Sequence, residues 1–260
     1  MRPCRALLMV LAAAAALAAT PAAAERLVLS ISRHQVLVTS SFAGTQIVLF
    51  GTIEPDTPTG RRRASYDIVT TITGPRQNLV TRRKERVAGI WVNVASRPFV
   101  GVPSYLASLA NRPFDEIANV ETLRRQQAGL DYFVLPQQVG SDIADTVRDD
   151  PFRANYIRLK TEKRLYLQRT NGVTFLTPTV FRAEIPLPAE APFGNYDVDV
   201  KLFSDGTLLT RGATAFEIVK VGFEQFVATA SRDYGLLYGL AAVALALSTG
   251  WFASVAFRRD

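Results

Sequence analysis

The run from Tyr234 to Phe257, YGLLYGLAAVALALSTGWFASVAF, carries no charged side chain, and Asp233 and the Arg258-Arg259 pair close it off. At about 1.5 Å of helical rise per residue it extends roughly 36 Å, more than the roughly 30 Å hydrocarbon core of a bilayer. Backbone polar groups in hydrocarbon must be paired, and a helix pairs them within its own segment. Residues 234–257 are therefore expected to form one C-terminal transmembrane α-helix rather than a buried core helix. Tyr234 and Tyr238 at one end, and Trp251, Phe252 and Phe257 at the other, suit the two membrane interfaces.

The opposite end reads MRPCRALLMVLAAAAALAATPAAAER. Arg2 and Arg5 precede an apolar run from Ala6 to Ala19, and Ala22-Ala23-Ala24 supplies small residues for cleavage. This is the pattern of a secretory signal peptide over 1–24, whose apolar run is too short to span. Export places the body outside the cytoplasm, and the Arg258-Arg259 pair holds the tail, 258–260, on the cytoplasmic side. The expectation is a single-span protein of the cytoplasmic (inner) membrane with a periplasmic body and a cytoplasmic C-terminus.

These ends change what the composition means. The single cysteine, Cys4, lies in the leader, so the exported part has no thiol for disulfides, haem attachment or thiolate catalysis. The single histidine, His34, gives no basis for a zinc site or a Ser/His/Asp constellation. The net charge of +7 includes Arg2, Arg5, Arg258 and Arg259, and the small remaining excess, outside the cytoplasm, does not point to nucleic acid. No catalytic, cofactor-binding or metal-ligating set emerges. Glu54 with Asp56, Asp115 with Glu116, and Asp149 with Asp150 are candidate carboxylate pairs for a hydrolase, but adjacent acids in proline-bearing turns are more often solvated residues or helix caps.

Residues 25–219 form the body. Short runs rich in β-branched residues (LVLSIS, QVLVTS, TQIVLFGTI, YDIVTTITG, GIWVNV) separated by Gly, Pro, Ser and Asp connectors predict a mainly β, immunoglobulin-like sandwich. Within TQIVLFGTI, Ile47, Leu49 and Gly51 share one face and Gln46, Val48 and Phe50 the other, so this strand is expected to be central in its sheet. From about 104 to 168 the spacing turns helical and predicts an insertion, with Phe152, Tyr156, Leu159 and Lys163 on one stripe and Asp150 capping a helix that begins at Pro151. Strand chemistry resumes after Asn171-Gly172, and Asp205-Gly206 predicts a hairpin turn. Over 220–233 an apolar stripe of Phe223, Phe226, Val227 and Ala230 predicts an amphipathic juxtamembrane segment.

Two surfaces stand out as interaction candidates. In TRRKER, strand alternation puts Arg82, Lys84 and Arg86 on one face and Arg83 and Glu85 on the other. Three like charges on one face gain from an anionic partner, whereas a solvated edge strand protected from aggregation explains the same residues. Trp91, Phe99 and Tyr105 are the aromatics expected to be exposed beside it; a second basic run is Arg61-Arg62-Arg63. In the span, Gly235, Gly239, Ala242, Ala246, Gly250 and Ser254 set small residues along a row that would let a second helix approach closely.

Taken together, LVLSISRHQVLVTSSFAGTQIVLFGTIEPD, TRRKERVAGIWVNVASRPFVGVPSYLA, DPFRANYIRLK, PFGNYDVDVKLFSDG, VGFEQFVATASRDYGLLYG and GWFASVAFRR resemble a family of transmembrane proteins from Alphaproteobacteria. The resemblance covers nearly the whole chain after the leader. It carries no activity, ligand or site residue with it and implies a loose association with sulfite-exporter-type permeases. The function expected is that of a membrane-anchored periplasmic accessory protein, in contact with the lipid bilayer and an integral membrane partner such as a transporter of small sulfur-containing anions. The alternatives are a cell-envelope glycan- or lipid-binding module and, last, the carboxylate-dependent hydrolase.

Overall fold

A computed structural model describes residues 25–39, 42–54, 65–140, 142–145, 150–222 and 231–256. The expected signal peptide, 1–24, the Arg61–Arg63 run, Asp56, Asp149, the stripe expected over 223–230 and the tail 258–260 lie outside the described residues. In chain order the first strands are β1 (Arg26–Ile31), β2 (Gln35–Val38), β3 (Gly44–Glu54), β4 (Asp67–Thr73), β5 (Arg76–Val87), β6 (Ile90–Pro103) and β7 (Leu106–Ala110). Two short helices follow, α1 (Phe114–Ile117) and α2 (Val120–Arg125), with a 3-10 turn at Leu130–Tyr132. Then come β8 (Pro136–Val139), β9 (Asp142–Asp145), α3 (Pro151–Glu162), β10 (Tyr166–Arg169), β11 (Val173–Thr177), β12 (Val180–Pro188), β13 (Gly194–Ser204), β14 (Thr207–Lys220) and the apolar helix α4 (Gly235–Ala256).

The strands make three sheets: β1-β3-β12-β11, β10-β7-β4-β13-β14-β2 and β5-β6-β8-β9. The first is antiparallel throughout, and β3 is interior in it as expected, although only its Ile47, Leu49, Gly51 and Ile53 face is buried and Phe50 on the other is exposed. Ile47 and Leu49 on β3, Ile185 on β12, and Ile68, Ile72, Val198 and Val200 from the six-stranded sheet belong to one buried cluster. The opposite face of the six-stranded sheet is covered as well. There Val69 and Phe203 meet Phe114, Ile117 and Leu123 of the α1–α2 segment, so β4 is buried on both faces.

Local chemistry explains several joins. Asp205 and Gly206 both adopt positive φ, 49° and 78°, in the tight turn from β13 to β14. Asp150 caps α3, accepting from the Phe152 N–H at 3.2 Å, with Pro151 in the first turn.

The helical insertion expected over 104–168 is corrected. Leu106–Ala110 is a fully buried strand, β8, β9 and β10 are also strands, and among the described residues of that range helix is confined to α1, α2, α3 and the 3-10 turn. LASLA is short, apolar and continuous, a pattern that periodicity cannot assign between buried strand and helix. The stripe on α3 is also corrected: Arg153 and Tyr156 are its buried residues, while Leu159 is 45% exposed.

A tyrosine network ties these parts together. The Tyr166 hydroxyl donates to the Pro103 carbonyl at 2.7 Å and lies 3.1 Å from the Tyr156 hydroxyl, and the Tyr105 hydroxyl donates to the Pro186 carbonyl at 2.6 Å. The Tyr196 hydroxyl donates to the carbonyl of Pro192, four residues upstream, at 2.7 Å. Burial pushes the Tyr156 phenol up to about 12 and raises those of Tyr105, Tyr166 and Tyr196 as well. An acid whose folded pKa is raised contributes stability that is complete below its unfolded value, about 10, and lost as pH climbs through the folded value. For Tyr156 alone the loss is on the order of 2–3 kcal/mol. An ultraviolet titration of tyrosinate should therefore show these four phenols ionising only together with loss of β ellipticity. Ionisation near pH 10 with the fold intact would contradict that.

Candidate functional site

The third sheet leaves the body as an arm. Its root is held by α3: Phe99 of β6 stacks on Tyr156 with ring centres 4.6 Å apart, and the Arg97 guanidinium lies 5.3 Å from the centre of the Phe152 ring. Beyond Arg82 on one strand and before Ala95 on the other, both faces of the β5–β6 hairpin are exposed. The tip turns at Ala88 and Gly89, whose φ values of 49° and 85° are those of a two-residue hairpin turn.

Cross-strand register assigns the faces. Arg86 pairs with Trp91 and Lys84 with Asn93, so Arg82, Lys84, Arg86 and Trp91 project from one face. On the other, Val87 pairs with Ile90 and Glu85 with Val92, and Arg83 is neutralised by Glu85 at 3.0 Å. A register shift between Arg83 and Lys84 inserts Val94 as an extra residue. The arm thus has an apolar end (Val87, Ile90, Trp91, Val92) behind which sits a collar of cations. Ile90 is 68% and Trp91 67% exposed.

Because β5 is an edge strand of its sheet, protection against strand pairing accounts for its charges. It does not account for exposed Ile90 and Trp91, which cost solubility unless something covers them. The sequence expectation of exposed Phe99 and Tyr105 is corrected: both are fully buried, Phe99 by the stack on Tyr156 and Tyr105 by its hydrogen bond to Pro186 and its ring contact with Tyr196.

The other candidates fall apart in space or stay structural. Asp115 and Glu116 lie exposed on the first turn of α1, and Asp150 is spent as a cap. His34 is exposed, its Nδ1 3.5 Å from the Ala215 carbonyl oxygen. Among the described residues no group of three His, Cys, Asp or Glu side chains is placed to hold a metal ion. A wide cleft of about 820 Å³ beside the end of α3, lined in part by Lys163, Arg164, Arg169 and Glu190, takes in none of the candidate catalytic or interaction residues.

The expected span corresponds to α4, an apolar helix long enough to cross a membrane. Gly235–Ser254 has a mean hydropathy of 1.7 and none of it is buried against the described body. Gly235, Gly239, Ala242, Ala246, Gly250 and Ser254 are all exposed on it, and no Cβ added at its three glycines would meet another atom.

A mainly β body followed by one exposed apolar helix of crossing length is an organisation that fits a single-span membrane protein. The chain belongs to the family described as "Putative transmembrane protein (Alph_Pro_TM)", which it matches over residues 26–259. No curated protein matches it. Among solved structures, the N-terminal domain of the Streptococcus gordonii adhesin Sgo0707 is similar over 75% of this chain, with 9% identity and a TM-score of 0.27. The chain spans about a third of that structure's length, 32%, and so weak a likeness carries no argument.

Proposed function

We propose that this is a membrane-anchored accessory protein whose β5–β6 arm is its interaction element, and that the arm engages an anionic membrane interface. The observation that carries the reading is the pairing of an apolar, Trp-bearing tip with a basic collar on an arm exposed on both faces. Trp favours the headgroup level, where ring and N–H meet different surroundings. Each cation near an anionic surface contributes about 1 kcal/mol, so Arg82, Lys84 and Arg86 together favour the bound arm by roughly 3 kcal/mol. The signal peptide, periplasmic body, cytoplasmic tail and inner-membrane location belong to the same proposal. So does an immunoglobulin-like character of the two core sheets, which is supported by their shared core and by the Tyr196 hydroxyl turned back to Pro192.

The test uses the full chain in nanodiscs, with Trp251 replaced by phenylalanine so that Trp91 is the only indole. In bilayers containing phosphatidylglycerol, brominated lipid should quench Trp91 strongly. Arg82→Gln, Lys84→Gln and Arg86→Gln together should return it to the quenching seen in neutral bilayers. Trp91 open to acrylamide in every bilayer, with circular dichroism unchanged, would sink the proposal.

A second reading rests on α4. An exposed row of small residues on an Ala-rich helix is what close approach of another helix needs, and supports an integral membrane partner. The family resemblance suggests a transporter of small sulfur-containing anions. Crosslinking from Gly239 or Ala246 in native membranes should capture such a partner, and recovery of uncrosslinked chain alone would count against it.

A further inference from the structure

On the face of the six-stranded sheet turned toward α1 and α2 lies a cleft of about 300 Å³, separate from the arm's tip. Its lining holds four cations, Arg76, Arg125, Lys201 and Arg211, and one carboxylate, Asp199. Lys201 is the unusual member. Only 3% of its side chain is exposed; its ammonium meets Asp199 at 2.6 Å and donates to the Thr71 hydroxyl at 3.1 Å. Register places Arg211 directly opposite Lys201 on the neighbouring strand. Like charges directly opposite one another destabilise a sheet, and burial of one of them adds a desolvation cost. Asp199 compensates one charge only.

The remaining partners do not complete the balance. Arg125 reaches the exposed Glu121 at 3.5 Å, outside the cleft lining. Arg76 donates to the Gly101 carbonyl at 2.9 Å, and Arg211 donates to the Gln126 side-chain oxygen. These bonds aim two guanidinium groups without neutralising them, and each retains further N–H donors. The Thr71 hydroxyl, already accepting from Lys201, keeps its own hydrogen to donate. Thr73 and the amide of Gln127 also line the cleft. The result is a cleft of fixed donors with excess positive charge.

We propose that this cleft binds a small tetrahedral oxyanion of the sulfate or phosphate type, free or as the phosphate of a headgroup. Arg211 and Arg125 grip it from the strand and from the end of α2, and Lys201 supplies the buried charge beneath. Sulfate or phosphate would restore the charge balance that the Lys201–Arg211 pairing upsets, and its oxygens match the guanidinium fork.

The experiment is calorimetric titration of the full detergent-solubilised chain with sodium sulfate, sodium phosphate and glycerol 3-phosphate, each on a sodium chloride background. Saturable binding of at least one is expected, weakened about tenfold or more by Arg211→Gln, as loss of a charge-assisted bond requires. Arg125→Gln, at a highly exposed side chain that cannot upset the fold, should also weaken it. Arg83→Gln on the arm should leave it unchanged. Binding of glycerol 3-phosphate alone would assign the site to headgroups, and binding of the inorganic ions to a free anion. No saturable binding of any of the three up to about 10 mM, the weak end of specific recognition, would overturn the proposal. Affinity in Arg211→Gln and Arg125→Gln equal to that of the unsubstituted chain would overturn it too. Because the arm's tip takes no part, the outcome is independent of Trp91 quenching.

Discussion

Gly51→Ala is expected to destabilise the body by about 3 kcal/mol or more, at the upper end of what overpacking a core costs. Gly51 sits mid-strand in β3, directly opposite Phe181 of β12, whose ring is folded across the space a side chain would occupy. A Cβ there would lie 2.1 Å from one ring carbon and within 2.7 Å of two others. The ring is fully buried and has Phe175 against it at 6.0 Å between centres, so it has nowhere to retreat. Denaturant unfolding followed by circular dichroism measures the loss. The mechanism predicts non-additivity: Phe181→Leu is destabilising alone, yet Gly51→Ala with Phe181→Leu should be markedly better than the sum of the two. Strict additivity would show that the clash is not the cause.

Arg112→Met is expected to cost about 3 kcal/mol for an electrostatic reason. Asp67, at the start of β4, is 1% exposed and accepts from the Arg112 Nε at 2.7 Å, from a second Arg112 nitrogen, and from the Asn111 amide at 3.1 Å. Asn111 in turn accepts from the Ile68 N–H at 2.8 Å, so the network anchors the first residues of a central strand. The bond to Asp67 is the main reason the Arg112 guanidinium is held charged even more firmly than usual. Removing it leaves a buried carboxylate with one neutral donor. The figure sits at the low end of the range for broken buried pairs because Arg112 is 38% exposed and partly screened. Asp67→Asn in the same chain should recover much of the loss, since an amide needs no counter-charge. If the double variant is no more stable than Arg112→Met, the cost comes from packing of the arginine stem.

Both residues show where reading the sequence stops. The alternation that assigns Gly51 to the face of Ile47 and Leu49 is visible in TQIVLFGTI, but its partner Phe181 lies 130 positions away and is set by strand pairing. Arg82, Lys84 and Arg86 are assigned to one face by alternation alone. That β5 and β6 form an arm exposed on both sides was not legible, because the turn is Ala88-Gly89 rather than an Asn-Gly or Asp-Gly signal. Phe99 and Trp91 look alike as aromatics in one strand, yet α3 covers the first and nothing among the described residues covers the second. Lys201 reads as the polar half of an alternating strand until α1 and α2 are laid over that face.

By itself the sequence determined what depends on neighbours along the chain: an uncharged run long enough to cross a bilayer, strand periods, the Asp150 cap, the Asp205-Gly206 turn and the one-sided cations of β5. Only the tertiary structure decided that LASLA is a strand, that Tyr105 and Phe99 are core, that Lys201 faces Arg211 in one cleft, and that Ile90 and Trp91 are exposed. The physical reason is the range of the forces. Periodicity, capping and turn preference act over a few residues, whereas burial, cross-strand charge and exposure are properties of pairs that sheet topology brings together from distant parts of the chain.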